Sequence, residues 1–150
     1  MPKVFIGVGS NLGNRQGYLD QARKDLTAIP EIRDLRESPV YETEPVDAGG
    51  GLFLNAVWSF ETDMPARELL DRLHRLESGA GRERKAINGA RTLDLDLLFY
   101  GDQVIQERDL VVPHPRLHER AFVLEPMADL APGFVHPVLK KTIRELLEGT

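Results

Sequence analysis

Apolar positions recur along this chain with two different periods, and the switch between them predicts its elements. Val4-Phe-Ile-Gly-Val8 is a short apolar run that reads as a buried strand near the start. From Gln16 to Ala28 the spacing of Leu19, Ala22 and Leu26 is helical, continued by Ile29, and Pro30 ends the helix. Ile32 to Thr43 reads as a strand of mixed polarity, with Pro39 turning part of it into an edge or bulge. Glu44 to Gly51 is a glycine-rich loop, and Phe53 to Thr62 alternates as a further strand. Pro65 opens a second helix, with Asp63 as its expected N-cap and Leu69, Leu70, Leu73 and Leu76 along one face.

Ser78 to Ala90 is polar and rich in Gly and Arg, so a long loop is expected there. Arg91-Thr-Leu-Asp-Leu-Asp-Leu-Leu-Phe-Tyr100 then reads as a strand. A Gly101-Asp102 turn should close it into a hairpin with a short strand through Val104 and Ile105. Val112 to Arg120 is irregular because prolines flank His114, while Ala121–Asp129 and Thr142–Glu148 read as helices.

The order β-α-β-β-α-β, followed by a strand and helices, belongs to the α+β class. It predicts a ferredoxin-like antiparallel sheet with helices packed on one face, plus an extra hairpin strand and C-terminal helices. With 150 residues, no repeat and no linker, a single domain over 1–150 is expected. Hydrophobic residues at 41% and charged residues at 29% fit a packed core rather than disorder.

No apolar run approaches a membrane span, and the first residues lack a signal-peptide pattern. The absence of cysteine excludes disulfides, thiolate metal sites and a cysteine nucleophile, and fits a reducing cytoplasm. A net charge of −5 argues against nucleic acid as a partner, yet leaves room for a small polyanion held by a local basic cluster.

Such a cluster adjoins the most informative motif, Asp94-Leu-Asp96. Residues i and i+2 of a strand share a face, roughly 6–7 Å apart, so both aspartates project one way while Leu93, Leu95 and Leu97 enter a core. Two buried carboxylates side by side repel each other and lose hydration. A divalent cation relieves both costs, and one or two carboxylates completed by phosphate oxygens are the usual Mg²⁺ arrangement. An Asp-x-Asp by itself is more often a solvated strand face. Here the strand is too apolar for the periphery, and Arg82, Arg84, Lys85 and Arg91 precede it. Arginines bind phosphate in bidentate fashion, so the loop between Ser78 and Ala90 is expected to act as a phosphate-closing lid.

Other motifs are weaker. Gly7-Val-Gly9-Ser-Asn-Leu-Gly13 lacks the third glycine of a dinucleotide fingerprint, since Leu12 stands there; a tight turn suffices, with Ser10 and Asn11 able to donate hydrogen bonds into a site. His114, Arg116, His118 and Arg120 form a second cationic cluster without zinc-ligand spacing. Phe53, Asn55 and Phe122 could line a flat-ring pocket, although by sequence alone ordinary core is the better reading of both phenylalanines.

Gly9-Ser-Asn-Leu12, Phe53-Leu-Asn55-Ala, Gly81-Arg-Glu-Arg84, Arg91-Thr-Leu-Asp94-Leu-Asp96, Val112-Pro-His114 and Arg120-Ala-Phe122, in that order, cover nearly the whole chain. Together they resemble the 6-hydroxymethyl-7,8-dihydropterin pyrophosphokinase family of folate biosynthesis. The resemblance implies a ferredoxin-like monomer that moves diphosphate from ATP to the hydroxymethyl group of the reduced pterin and releases AMP. By similarity, Asp94 and Asp96 bind two Mg²⁺ ions, and Arg82, Arg91, His114 and Arg120 contact phosphates, with Arg84 on the same loop. Arg82, Arg91, Asp94 and Asp96 then carry catalysis. Phe53, Asn55 and Phe122 match the pterin pocket, bordered by Thr43 and Val46, and His74 and Glu77 lie near the nucleotide.

Two departures concern the loop. Lys85–Ala90 lacks the tryptophan that some members carry, and Ala90 stands where proline is common. Two other readings compete: a nucleotidyltransferase on the same topology, which would release pyrophosphate, and a non-catalytic ligand-binding module, which would turn over no nucleotide.

Overall fold

The computed structural model describes residues 1–43, 52–80 and 92–150. Its elements run β1 (Lys3–Ser10), α1 (Arg15–Thr27), β2 (Ile32–Glu37), β3 (Tyr41–Thr43), β4 (Phe53–Thr62), α2 (Ala66–Gly79) and β5 (Asp94–Tyr100). Then follow β6 (Ile105–Glu107), β7 (Leu110–Val112), a 3₁₀ turn at Leu117–Glu119, α3 (Ala121–Leu130) and α4 (Ile143–Glu148). The main sheet has the order β2-β4-β1-β5, with β3 also pairing β4, and every pairing is antiparallel. The α+β ferredoxin-like expectation holds for this frame.

Pro39 divides the expected strand over 32–43 into β2 and β3. Ser38, beside it, bridges the break: its hydroxyl accepts from Val57 N–H at 2.9 Å and its own N–H donates to Val57 O. A side-chain oxygen thus replaces a ladder acceptor next to a residue that cannot donate.

The period-2 pattern sorts side chains to two cores. Val4, Ile6 and Val8 of β1, Ala56, Trp58 and Phe60 of β4, and Leu95 and Leu97 of β5 face α1 and α2. Phe5, Val57, Leu98 and Phe99 face the other way, against Val123, Leu124 and Met127 of α3 and Ile143 and Leu146 of α4. Helices therefore cover both faces, not one. A register shift opposite Phe5/Ile6 leaves Leu98 as an extra residue in β5, so Leu98 and Phe99 both join the second core.

Three local expectations change. β5 does not form a hairpin with residues 104–105; β6 pairs β7 in a separate two-stranded sheet. Pro65, not Asp63, is the N-cap residue of α2, with no side-chain cap bond. Ser78 and Gly79 belong to the end of α2 rather than to a loop. The helix continues because the Leu69-Leu70-Leu73 stripe extends to Glu77, which is also buried.

Candidate active site

Helices α3 and α4 pack on the second sheet face around Phe5, Val57 and Phe99, and α3 also reaches β3 through Asp129 and Tyr41. Toward its C-terminal end β1 carries Gly7 and Gly9, opposite Asp96 and Asp94 of β5. On the other side of β1, Gly9 pairs with Asn55 and Asn55 with Tyr41. The cross-strand row Tyr41–Asn55–Gly9–Asp94 thus has no side chain in its middle. A Cβ on Gly9 would stand 3.1 Å from Asn55 Oδ1 and 3.6 Å from Phe53 Cδ1, so a side chain here would press on Asn55.

Two chambers flank these strands, one on the β5 side and one on the β3 side. The first, of about 310 Å³, is lined by His74, Glu77, Asp94, Asp96, Arg108 and His114 among others. Asp94 and Asp96 are half-buried, not enclosed as the sequence suggested, because the strand's polar face forms a chamber wall. His114 is brought to β5 by its N–H, which donates to Leu98 O at 3.0 Å. Burial, and then the charge of Arg120, holds its imidazole below the ordinary value of 6.5, so it is neutral at pH 7.

The second chamber, of about 300 Å³, is lined by Tyr41, Thr43, Arg120, Phe122 and Glu125. Its walls come from β3 and the start of α3, and they are tied together. Tyr41 OH donates to Asp129 on α3, which raises the phenol's pKa. On the β4 side, Asn55 Nδ2 donates to Thr43 Oγ1. Arg120 lies over the Phe122 ring at 5.6 Å, a cation–π distance. Arg120 lines this chamber, and its charge is also felt by His114 in the other.

Asp94 and Asp96 suit a Mg²⁺ bound through one or two carboxylates and completed by a substrate's phosphates. Among the described residues no group of three or more His, Cys, Asp or Glu could hold a metal as an all-protein cage. A site finished by substrate oxygens is what such a pair offers.

The family model described as 7,8-dihydro-6-hydroxymethylpterin-pyrophosphokinase (HPPK) matches residues 5–132. The chain belongs to this family. A 2-amino-4-hydroxy-6-hydroxymethyldihydropteridine pyrophosphokinase of Methylorubrum extorquens is 40% identical over 149 residues, covering 98% of this chain and 92% of the relative. The Aquifex aeolicus protein of the same name is 36% identical over 146 residues, covering 97% and 90%. The folic acid synthesis protein fol1 of Pneumocystis carinii is 38% identical over 146 residues, and there the chain spans only 20% of the relative. A crystal structure of HPPK-DHPS in complex with substrates shares the fold, with a TM-score of 0.77 at 13% identity over 99% of this chain and 43% of that one.

For a pyrophosphokinase of this family, the residues expected from sequence divide unevenly: Arg120, expected at the phosphates, lines the second chamber, and Phe53 and Asn55 line neither. The structure brings His74, Glu77, Asp94, Asp96 and His114 to one chamber and Thr43, Arg120 and Phe122 to the other. Phe53 and Asn55 are half-buried on β4, with Thr43 opposite Phe53. Arg82, Arg84, Lys85, Arg91 and Val46 lie outside the described residues, as does the expected lid beyond Ala80.

Ser10 and Asn11 line neither chamber. Both are buried, and Ser10 continues the Val4-Ile6-Val8 parity toward the helix-packed core. Tyr41 and Arg108 went unnoticed in the sequence, and Gly7 and Gly9, read there as part of a tight turn, lie within β1. Tyr41 alone had a signal, since it lies two residues before Thr43 on the same strand face. A larger cavity of about 570 Å³ opens between α1 and α2, lined by Tyr18, Gln21, Asp25 and Arg75 among others, on the opposite side of the sheet from the aspartates.

Proposed function

We propose that the two chambers are the ATP and pterin halves of one diphosphotransferase site, meeting at Arg120 and His114. The protein is an ATP-dependent pyrophosphokinase of folate biosynthesis. It forms a diphosphate ester at the hydroxymethyl group of 6-hydroxymethyl-7,8-dihydropterin. The observation that carries the residue assignment is the glycine-bearing end of β1, with a carboxylate pair on one side of the glycines and an amide and aromatic rings on the other.

In this reading the hydroxymethyl oxygen attacks the β-phosphorus, the bond from that phosphorus to the bridging oxygen breaks, and AMP leaves with it. The hydroxyl proton is released; no side chain is assigned as its acceptor. Asp94 and Asp96 would hold two Mg²⁺ ions, which supply positive charge to the phosphate oxygens. Arg82, Arg84, Arg91 and Arg120 offset the rest, while neutral His114 donates a hydrogen bond to phosphate. His74 borders the nucleotide, while Glu77, expected there from the family resemblance, is buried with its carboxylate on Leu95 N–H.

Phe53 and Phe122 sandwich the pterin, Asn55 reads its edge, and Thr43 and Val46 complete the rim. Positioning across the junction supplies much of the rate, because the transfer has little covalent chemistry for side chains to perform. Closure of the arginine-bearing segment would exclude water, which otherwise competes as acceptor.

We place the activity in a single domain over residues 1–150, working as a monomer in the cytoplasm. Support comes from α4, near the end of the chain, packing in the same core as Phe5 of β1. No helix among the described residues is long and apolar enough to cross a membrane.

Incubation with ATP, Mg²⁺ and the reduced hydroxymethylpterin tests the whole reading. AMP and the pterin diphosphate are expected in equal amounts. Pyrophosphate release would mean a nucleotidyltransferase, and no turnover would mean a binding module.

A further inference from the structure

Helix α2 carries a charge where its own pattern calls for a hydrocarbon. Leu69, Leu70 and Leu73 form its buried stripe, and the next position on that stripe is Glu77, which is 4% exposed. A carboxylate so placed is costly unless it is strongly bonded. Its Oε2 accepts from Leu95 N–H at 2.7 Å, and that N–H belongs to the peptide joining Asp94 to Leu95. β5 is the last strand of the sheet, since β6 and β7 pair only with each other among the described residues. The outward N–H of Leu95 therefore meets a helix side chain instead of a neighbouring strand.

We propose that Glu77 is a positioning residue for the Asp94/Asp96 pair, acting through the backbone of β5. The deduction rests on the placement of divalent metal at those aspartates. β1 fixes the inner edge of β5, with Gly9 opposite Asp94 and Gly7 opposite Asp96. Glu77 fixes its outer edge at the residue between the two. Pinned from both sides, the strand presents its carboxylates at constant spacing and direction. Unpinned, the end of an edge strand frays, and a metal site loses affinity as its ligands lose preorganisation. The contact joins α2 directly to the metal strand, so the helix that walls the first chamber also sets its ligand geometry.

The test compares Glu77→Gln, which keeps an acceptor oxygen at full reach, with Glu77→Ala and Glu77→Asp, which remove or withdraw it. Two readouts are taken on the full chain: amide exchange at Leu95 without ligands, and Mn²⁺ affinity by electron paramagnetic resonance with a non-cleavable ATP analogue bound. In the Ala and Asp variants Leu95 should exchange at least about tenfold faster and Mn²⁺ should bind at least about tenfold more weakly. The Gln variant should stay within about threefold of wild type on both.

Wild-type protection of Leu95 in the Asp variant, unchanged Mn²⁺ affinity despite faster exchange, or a Gln variant as defective as Asp would each overturn the proposal. If the Ala variant does not fold, the Asp and Gln pair decides. Asp96→Asn is the control for the underlying site. Unaltered Mn²⁺ affinity in that variant refutes metal binding at the aspartates, whatever Glu77 does.

Discussion

Gly9 and Asn55 approach each other across β1 and β4 so closely that a methyl group on Gly9 would stand 3.1 Å from Asn55 Oδ1. That contact is tighter than ordinary packing, and Asn55 is already committed to the hydroxyl of Thr43. In the proposed assignment, the glycine therefore shapes the pterin side of the site without touching ligand through a side chain.

Gly9→Ala is accordingly expected to displace Asn55 and weaken pterin binding by about tenfold, the scale of about 1–3 kcal/mol that overpacking costs. ATP affinity should change little, because the displaced groups lie on the pterin side. Calorimetric titration with each ligand separately measures both. Equal losses for the two ligands would contradict the assignment of Asn55.

Asp96→Ala should nearly abolish turnover and leave the fold intact. Its backbone pairs with Gly7 and its side chain is half-buried at the chamber wall, while packing falls to Leu95 and Leu97 on the opposite face. Loss of a metal ligand removes several kcal/mol of transition-state stabilisation, so a drop in kcat of about a thousandfold or more is expected. Circular dichroism with AMP production at saturating Mg²⁺ checks it.

Phe122→Ala should weaken pterin binding by about 1–3 kcal/mol, the worth of a stacked base, and nucleotide binding far less. Phe122 lines the chamber with Thr43, and Arg120 lies over its ring. A nucleotide loss as large as the pterin loss would place the ring elsewhere in the mechanism.

Stability should carry a pH signature from His136. Its Nδ1 accepts from the N–H groups of Val138 and Leu139, both at 3.1 Å, and the residue is 5% exposed. Burial, and then His118, depresses its pKa below the ordinary 6.5. The unfolded chain therefore takes up this proton first as pH falls. Its contribution to stability is full above about 6.5 and is lost progressively as pH drops from there toward the lowered folded value. Urea denaturation between pH 7.5 and 5 should show a steeper loss in wild type than in His136→Gln. Identical pH dependence in the two proteins would count against a neutral, doubly bonded imidazole.

Where a functional residue and its structural setting lie within a few positions of each other, the sequence determined the outcome. The Leu93-Leu95-Leu97 alternation placed the aspartates on one strand face, and Pro39 broke a strand. Phe122 and Arg120 stood in the sequence only as a flat-ring pocket candidate and a member of a cationic cluster; a pterin and phosphate role for them, and any role for Thr43, came through the family resemblance, because their chemistry is ordinary in isolation. Tertiary structure decided everything that depends on long-range pairing. The β6–β7 hairpin outcompeted the expected pairing with β5, and α3 and α4 packed on the second sheet face. An extra residue at Leu98 reset the strand's alternation, and a carboxylate 18 residues away took the free N–H of Leu95. Local periodicity fixes which side of an element is apolar. Which partner covers that side, and how much of it, is settled by the competition among all the faces of the chain for burial.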